Sequence, residues 1–220
     1  MPINQFIDHT ALKATTSISD IKQLCEEAKA YHFASVCINP CFVELATELL
    51  SNSDVKICTV IGFPLGNTTT KAKVEEARQA LKDGATEFDM VINQSFLKSG
   101  ELDRVKEDIS EVKKAVGNNT LKVILEICNL TDEEIKIASV ISEKAGANYV
   151  KTSTGFGSGG ATVEAIKIMK ASVSNQVKLK ASGGIRDAKT AQMFIDLGVH
   201  RLGASSGVAI MNGLTSKDDY

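Results

Sequence analysis

The chain has 220 residues, 43% of them apolar and 24% charged, with a formal net charge of −2. That length holds one large domain or two small ones, and the even spread of acids and bases excludes a polybasic nucleic-acid face or membrane anchor. No apolar run approaches the roughly 20 residues of a membrane-spanning helix, and Met1-Pro2-Ile3-Asn4-Gln5 lacks the basic-then-apolar plan of a secretory leader, so a cytoplasmic protein is expected.

The first short extended run is Phe6-Ile7-Asp8-His9-Thr10, with an acid in its middle. Ser17 to Asp20 offers a helix cap, and Ile21, Leu24, Cys25 and Ala28 follow at helical spacing. Phe33 to Ile38 reads as a strand; Asn39-Pro40 ends it and opens a helix through Phe42, Leu45, Ala46 and Leu49. Lys56 to Ile61 is the third strand. It runs into the turn-rich loop Gly62-Phe63-Pro64-Leu65-Gly66-Asn67. A helix through Val74, Ala77 and Leu81 stops at Gly84. Glu87 to Ile92 alternates acids with apolar residues, and Leu102, Val105, Ile109, Val112 and Val116 then step by three and four along a helix.

Leu121 to Ile127 is the fifth strand, and the capping box Thr131-Asp132-Glu133-Glu134 starts the next helix. Tyr149-Val150-Lys151 and Val177-Lys178-Leu179-Lys180 are two strands that end in lysine, small hydroxyls and glycine. Helices through Met169 and Phe194 follow them. His200 to Ser206 closes the series, and a polar tail from about Asn212 to Tyr220 is expected to be mobile.

Eight strand–helix units without a composition break predict an α/β protein with a parallel sheet. A (β/α)8 TIM barrel in a single domain, residues 1–220, fits that number. An open doubly wound sheet competes, but the first strand-to-helix turn lacks G-x-G-x-x-G.

The five cysteines are odd in number and contain no C-x-x-C pair, which fits reduced thiols. His9, His32 and His200 are widely separated, so no metal is expected.

In a barrel, active residues lie at the C-terminal strand ends, and residues of equal parity share a strand face. Inward faces would bring Asp89, Lys151 and Lys180 together near the mouth, with Lys122 and Glu126 as an accompanying ion pair. Interior salt bridges without a catalytic role are the competing reading. Two close amines disfavour each other's charge, so one is pushed towards the neutral, nucleophilic form. A neutral lysine attacks a carbonyl and forms a Schiff base, and a carboxylate such as Asp89 can move protons.

The turns Ser182-Gly183-Gly184 and Gly203-Ala204-Ser205-Ser206 follow strands seven and eight, where barrels commonly hold phosphate through backbone N–H groups. Ordinary βα turn chemistry is the alternative there. Cys37 is either a pocket thiol or a structural one. Asp8 and Thr10 are substrate contacts or structural residues, and Arg186 assists phosphate or pairs at the surface.

The motifs Val150-Lys151-Thr152-Ser153-Thr154-Gly155-Phe156, Lys178 to Arg186, Arg201 to Ser206, Cys58 to Gly66 and Glu87 to Asn93 occur in this order. In them the chain resembles the deoxyribose-phosphate aldolase family over essentially its whole length. The resemblance implies a (β/α)8 barrel and a cofactor-free, reversible cleavage of 2-deoxy-D-ribose 5-phosphate to D-glyceraldehyde 3-phosphate and acetaldehyde. It implies Lys151 as the Schiff-base lysine, Lys180 as the second lysine and Asp89 as the proton-transfer group. Gly155, Gly183, Gly184, Ser205 and Ser206 match a phosphate cradle, and Tyr220 matches a tail tyrosine that closes over the site. His9 departs from the apolar residue expected at its position. The expected partners are sugar-phosphate and aldehyde substrates and a second copy of the chain in a homo-oligomer, first of all a dimer. Another Schiff-base barrel enzyme, or a non-catalytic sugar-phosphate-binding regulator, are the rival readings.

Overall fold

The computed structural model of the chain describes residues 2–216. Its strands are β1 (Ile7–Ala11), β2 (Ser35–Ile38), β3 (Lys56–Ile61), β4 (Glu87–Val91), β5 (Thr120–Ile124), β6 (Tyr149–Lys151), β7 (Lys178–Ser182) and β8 (Arg201–Ala204). Each pairs in parallel with the next, and β8 returns to β1, closing the barrel. The helices are α1 (Ile18–Ala30), α2 (Val43–Leu49), α3 (Thr70–Lys82), α4 (Gln94–Lys98), α5 (Leu102–Val116), α6 (Asp132–Lys144), α7 (Val163–Ser172), α8 (Ala188–Asp196) and α9 (Gly207–Met211).

Local signals explain most boundaries. Ser17 accepts from the Asp20 backbone N–H and Thr131 from that of Glu134, and in each case the third residue's carboxylate returns the bond. This satisfies amide donors that an uncapped helix start leaves open. The three-and-four spacing in α5 puts Val105, Ile109, Val112 and Val116 on its buried face, each worth roughly 1.5–3 kcal/mol of burial.

The strands alternate as a two-residue period requires. Phe88, Met90, Leu121, Val123, Val150, Leu179 and Ala181 point outward into the apolar layer under the helices. The residues between them point into the barrel: Glu87, Asp89, Lys122, Lys151 and Lys180, all buried. The charged strand positions were legible because each has an apolar residue on at least one side.

Two expectations change. The strand foreseen over 121–127 ends at Ile124, and Glu126 takes a left-handed backbone (φ 57°). The short helix α4 was not anticipated; Asn93 caps it by accepting from the Phe96 N–H. Of the expected tail, Ser216 donates its N–H to the Arg186 carbonyl (3.0 Å), and Tyr220 lies outside the described residues.

A second charged pair is buried outside the barrel wall. Lys73 of α3 reaches Asp108 of α5 at 2.5 Å and the Val91 carbonyl at 2.9 Å, while Thr70 donates to the other Asp108 oxygen. The Lys73 stem lies against Gly62, where a Cβ would come within 2.7 Å of its Cε.

Candidate active site

Asp89 is the hub of the barrel interior. Its Oδ1 lies 2.8 Å from Lys122 Nζ; its Oδ2 lies 2.8 Å from Lys151 Nζ and 2.7 Å from Lys180 Nζ. Register supplies the arrangement: Asp89 is paired across to Lys122, and Lys151 to Lys180. Lys180 also reaches Asp8 at 2.5 Å, and Lys122 reaches Glu87 at 2.7 Å. At the N-terminal end Arg201 bridges Asp8 (2.5 Å) and Glu87 (2.8 Å). The column thus joins four cations to three carboxylates.

Burial works to raise the Asp89 pKa, but Lys122, Lys151 and Lys180 together hold it well below the usual carboxylate range. Asp8 behaves alike, with Lys180, Arg201 and Lys122 outweighing its burial. In the opposite sense, burial would lower Lys180, yet Asp8 and Asp89 raise it; Asp89, Cys58 and Glu87 do the same for Lys122. Lys122 and Lys180 are therefore fixed cations.

Lys122 does not pair with Glu126, contrary to expectation, because its three carboxylate partners all lie inside the barrel. The left-handed backbone turns Glu126 towards the loop after β6. There its carboxylate accepts from the Thr154 hydroxyl and from the Thr154 N–H. Arg201 and Glu87 complete the column beyond the residues singled out from sequence, and Asp8, there a substrate contact or a structural residue, pairs with Lys180 and Arg201. Their signal was a charge at inward parity, or at the foot of a strand.

The glycine turns behave in two ways. Gly155, Gly183 and Gly184 line one recess of about 400 Å³ with Gly157, Ser158 and Arg186. Gly183 and Gly184 hold φ of 85° and 78°, which a side chain would strain. The two turns are also pressed together. A Cβ on Gly160 would sit 2.2 Å from the Gly183 oxygen, which accepts the Ala161 N–H at 3.1 Å.

Ser205 lies elsewhere, lining a separate recess of about 290 Å³ with Thr10, Leu12 and Lys13. The Thr10 hydroxyl donates to the Asp8 carbonyl (2.8 Å), and the Ser206 hydroxyl to the Ile185 carbonyl (2.9 Å). Both hydroxyls are occupied by main chain. His9 points out of the barrel, where Nε2 lies 2.7 Å from Glu27 and the ring packs on Phe33.

Among the described residues one group has metal-ligand spacing: Cys37, Cys58 and Asp89 hold their ligand atoms within 4.8 Å of one another. Lys122 Nζ, however, is 3.2 Å from Cys58 Sγ and 2.8 Å from the same Asp89 oxygen. A metal cation would have to displace that ammonium.

The surroundings suit carbonyl chemistry. A nearly buried primary amine, Lys151, 2% exposed, contacts an ionised carboxylate and neighbours positive charge. A polar glycine recess capable of offering backbone N–H groups lies on the strand loops beside it.

Comparison with known proteins points the same way. The family described as DeoC/LacD family aldolase matches residues 3–215. A deoxyribose-phosphate aldolase of Caldanaerobacter subterraneus subsp. tengcongensis is 57% identical over 214 residues, covering 96% of this chain and 93% of that protein. One from Streptococcus gordonii is 54% identical over 220 residues, the full length of both. The tetrameric deoxyribose phosphate aldolase of Aeropyrum pernix superposes with a TM-score of 0.87 at 31% identity, covering 96% of this chain and 89% of that one.

Proposed function

The chain belongs to the DeoC/LacD family of aldolases, and we infer from that membership that it reversibly cleaves 2-deoxy-D-ribose 5-phosphate to D-glyceraldehyde 3-phosphate and acetaldehyde. It is a class I aldolase working through a lysine Schiff base, a reaction of deoxynucleoside breakdown.

Lys151 is the amine we assign to that Schiff base, and the observation that carries the assignment is charge balance. With Arg201, partly exposed at its foot, the column holds one more cation than it has carboxylates. Lys180 and Lys122 each have two or more carboxylate partners; Lys151 has only a share of Asp89 Oδ2. Releasing the Lys151 proton leaves three charges facing three, and an uncompensated buried charge is the costliest arrangement available. Lys180, held by Asp8 and Asp89, keeps its charge, and Lys151 has the smallest share of carboxylate among the three lysines.

The free amine adds to C1 of the open-chain aldehyde, and the resulting carbinolamine hydroxyl takes a proton from solvent and leaves as water, forming an iminium. Asp89 takes the proton of the C3 hydroxyl, the C2–C3 bond breaks, and its electron pair enters the iminium to give an enamine. D-Glyceraldehyde 3-phosphate leaves. Asp89 returns its proton to the enamine carbon, and hydrolysis of the iminium releases acetaldehyde, restores the amine and gives one proton back to solvent. Asp89 starts as a carboxylate, which is the form this step requires. The recess at Gly155, Gly183 and Gly184 is the seat proposed for the phosphate, with Thr10, Ser205 and Ser206 playing supporting structural parts.

Borohydride trapping tests the assignment. With substrate present, a reduced adduct should form on Lys151 and be absent from Lys151→Ala. Tight reversible binding without adduct or turnover would indicate a sugar-phosphate-binding regulator instead. Among the described residues no helix is long and apolar enough to cross a membrane. A cytoplasmic enzyme, with its free thiols, is the proposed setting. A homo-oligomer, a dimer before a tetramer, is the proposed assembly, and sedimentation velocity decides it.

A further inference from the structure

Cys37 and Cys58 are not used by the mechanism, yet they sit inside it. They are register partners on the neighbouring strands β2 and β3. Both are fully buried, and both belong to a small apolar cluster with Leu12, Val60 and Phe63, separate from the main core. Their sulfur atoms lie within 4.8 Å of each other. Paired positions on adjacent strands stand about 4.8 Å apart, inside the range of roughly 4.4–6.8 Å that a disulfide spans between Cα atoms. Cys58 is also tied to the charged column. Its thiol donates to Asp89 Oδ1 at 3.1 Å and accepts from Lys122 at 3.2 Å.

We propose that Cys37 and Cys58 form an oxidisable dithiol whose conversion to a disulfide slows the enzyme by withdrawing the Cys58 thiol from Asp89. The oxidant is a small peroxide; the chamber that admits a sugar phosphate under the aldolase reading also admits hydrogen peroxide. Contact with Cys58 pulls the Cys37 thiol down from its ordinary range, whereas burial pushes Cys58 up, so Cys37 is the first to react. The Cys37 thiolate attacks a peroxide oxygen, the O–O bond breaks, and the departing hydroxide takes a proton to become water. The resulting sulfenic acid is attacked by the Cys58 sulfur. The S–O bond breaks, the S–S bond forms, and a second water leaves. Two electrons pass from the sulfurs to the peroxide. The pairing costs Asp89 a hydrogen bond, worth about tenfold or more in turnover for a charged acceptor.

The test uses the full chain treated with hydrogen peroxide and digested without reduction. The expected result is a peptide joining Cys37 to Cys58, a mass lower by two hydrogens, at least about a tenfold fall in kcat, and recovery of both with a thiol reductant. Cys58→Ala should give no cross-link and no reductant-reversible loss, while a Cys41→Ser and Cys128→Ser double variant should respond as the wild type does. A linkage confined to the other cysteines, sulfinic acid without a linkage, or a Cys37–Cys58 bond with unchanged turnover would each overturn the proposal. The linkage is read by mass, so it stands or falls apart from the aldolase reading; loss of adduct in the trapping experiment bears on that reading alone.

Discussion

Among the described residues, fully buried ion pairs fall in two places, and the two are built on opposite plans. Outside the wall, Lys73 and Asp108 are matched one to one, and their remaining hydrogen-bonding capacity is taken by the Val91 carbonyl and Thr70. Inside it, cations outnumber carboxylates, and three ammonium groups converge on one acid. The first arrangement has nothing left to do but hold α3 to α5. The second carries a surplus proton, and a surplus proton is what amine chemistry needs. Under the aldolase reading it is this imbalance, and not burial as such, that separates the column from the Lys73–Asp108 pair.

The largest effect expected is from Lys151→Ala. It should lower kcat by about four orders of magnitude or more, while the thermal midpoint moves little, because the variant removes the surplus charge and leaves the rest matched. Lys73→Met inverts that outcome. It strands a buried carboxylate and should cost about 3–5 kcal/mol in urea unfolding, with near-normal kcat in the fraction that stays folded. If the two variants gave the same pattern, the distinction between the regions would be lost.

Lys180→Leu should be intermediate. A kcat loss of roughly a hundredfold to ten-thousandfold is expected, together with weaker folding, since Asp8 and Asp89 both lose a partner. Wild-type kcat would remove Lys180 from the mechanism. Acid sharpens the comparison further. Asp8, Glu87 and Asp89 are depressed in the folded chain, so the unfolded state takes up their protons first, from about pH 4 downward. Their contribution is complete above that pH and is lost as pH falls towards the folded values. His200, held below the usual imidazole range by burial and by Lys178 and Lys170, should give a shallow decline in unfolding free energy from about pH 6.5 downward, and the steeper loss should set in from about pH 4; no steeper loss there would show that the carboxylates are not held as described. The smallest effect belongs to the surface. Lys98→Ala breaks a half-exposed pair with Glu134 and should cost at most about 1 kcal/mol.

Strand alternation made the charged trio at the hub legible, because Asp89 and Lys180 stand between apolar neighbours on their strands and Lys151 follows one, Val150. It misled at Glu126 for a physical reason: parity holds only while the backbone stays extended, and β5 ends two residues earlier. Arg201 and Asp8 were less visible, since one lies at a strand foot and the other's inward aim depends on closure between β8 and β1. Lys73 could not have been found. In Lys71-Ala72-Lys73-Val74-Glu75-Glu76 it reads as one more solvated residue, and only packing over Gly62 buries it.

The seam where Gly160 meets the Gly183 carbonyl has an evolutionary consequence. Two loops from different strands inherit their spacing as a single part, so neither can drift alone without pushing the other off its strand. A change in the width of this recess would therefore begin at residues outside the seam, Ser158 or Arg186.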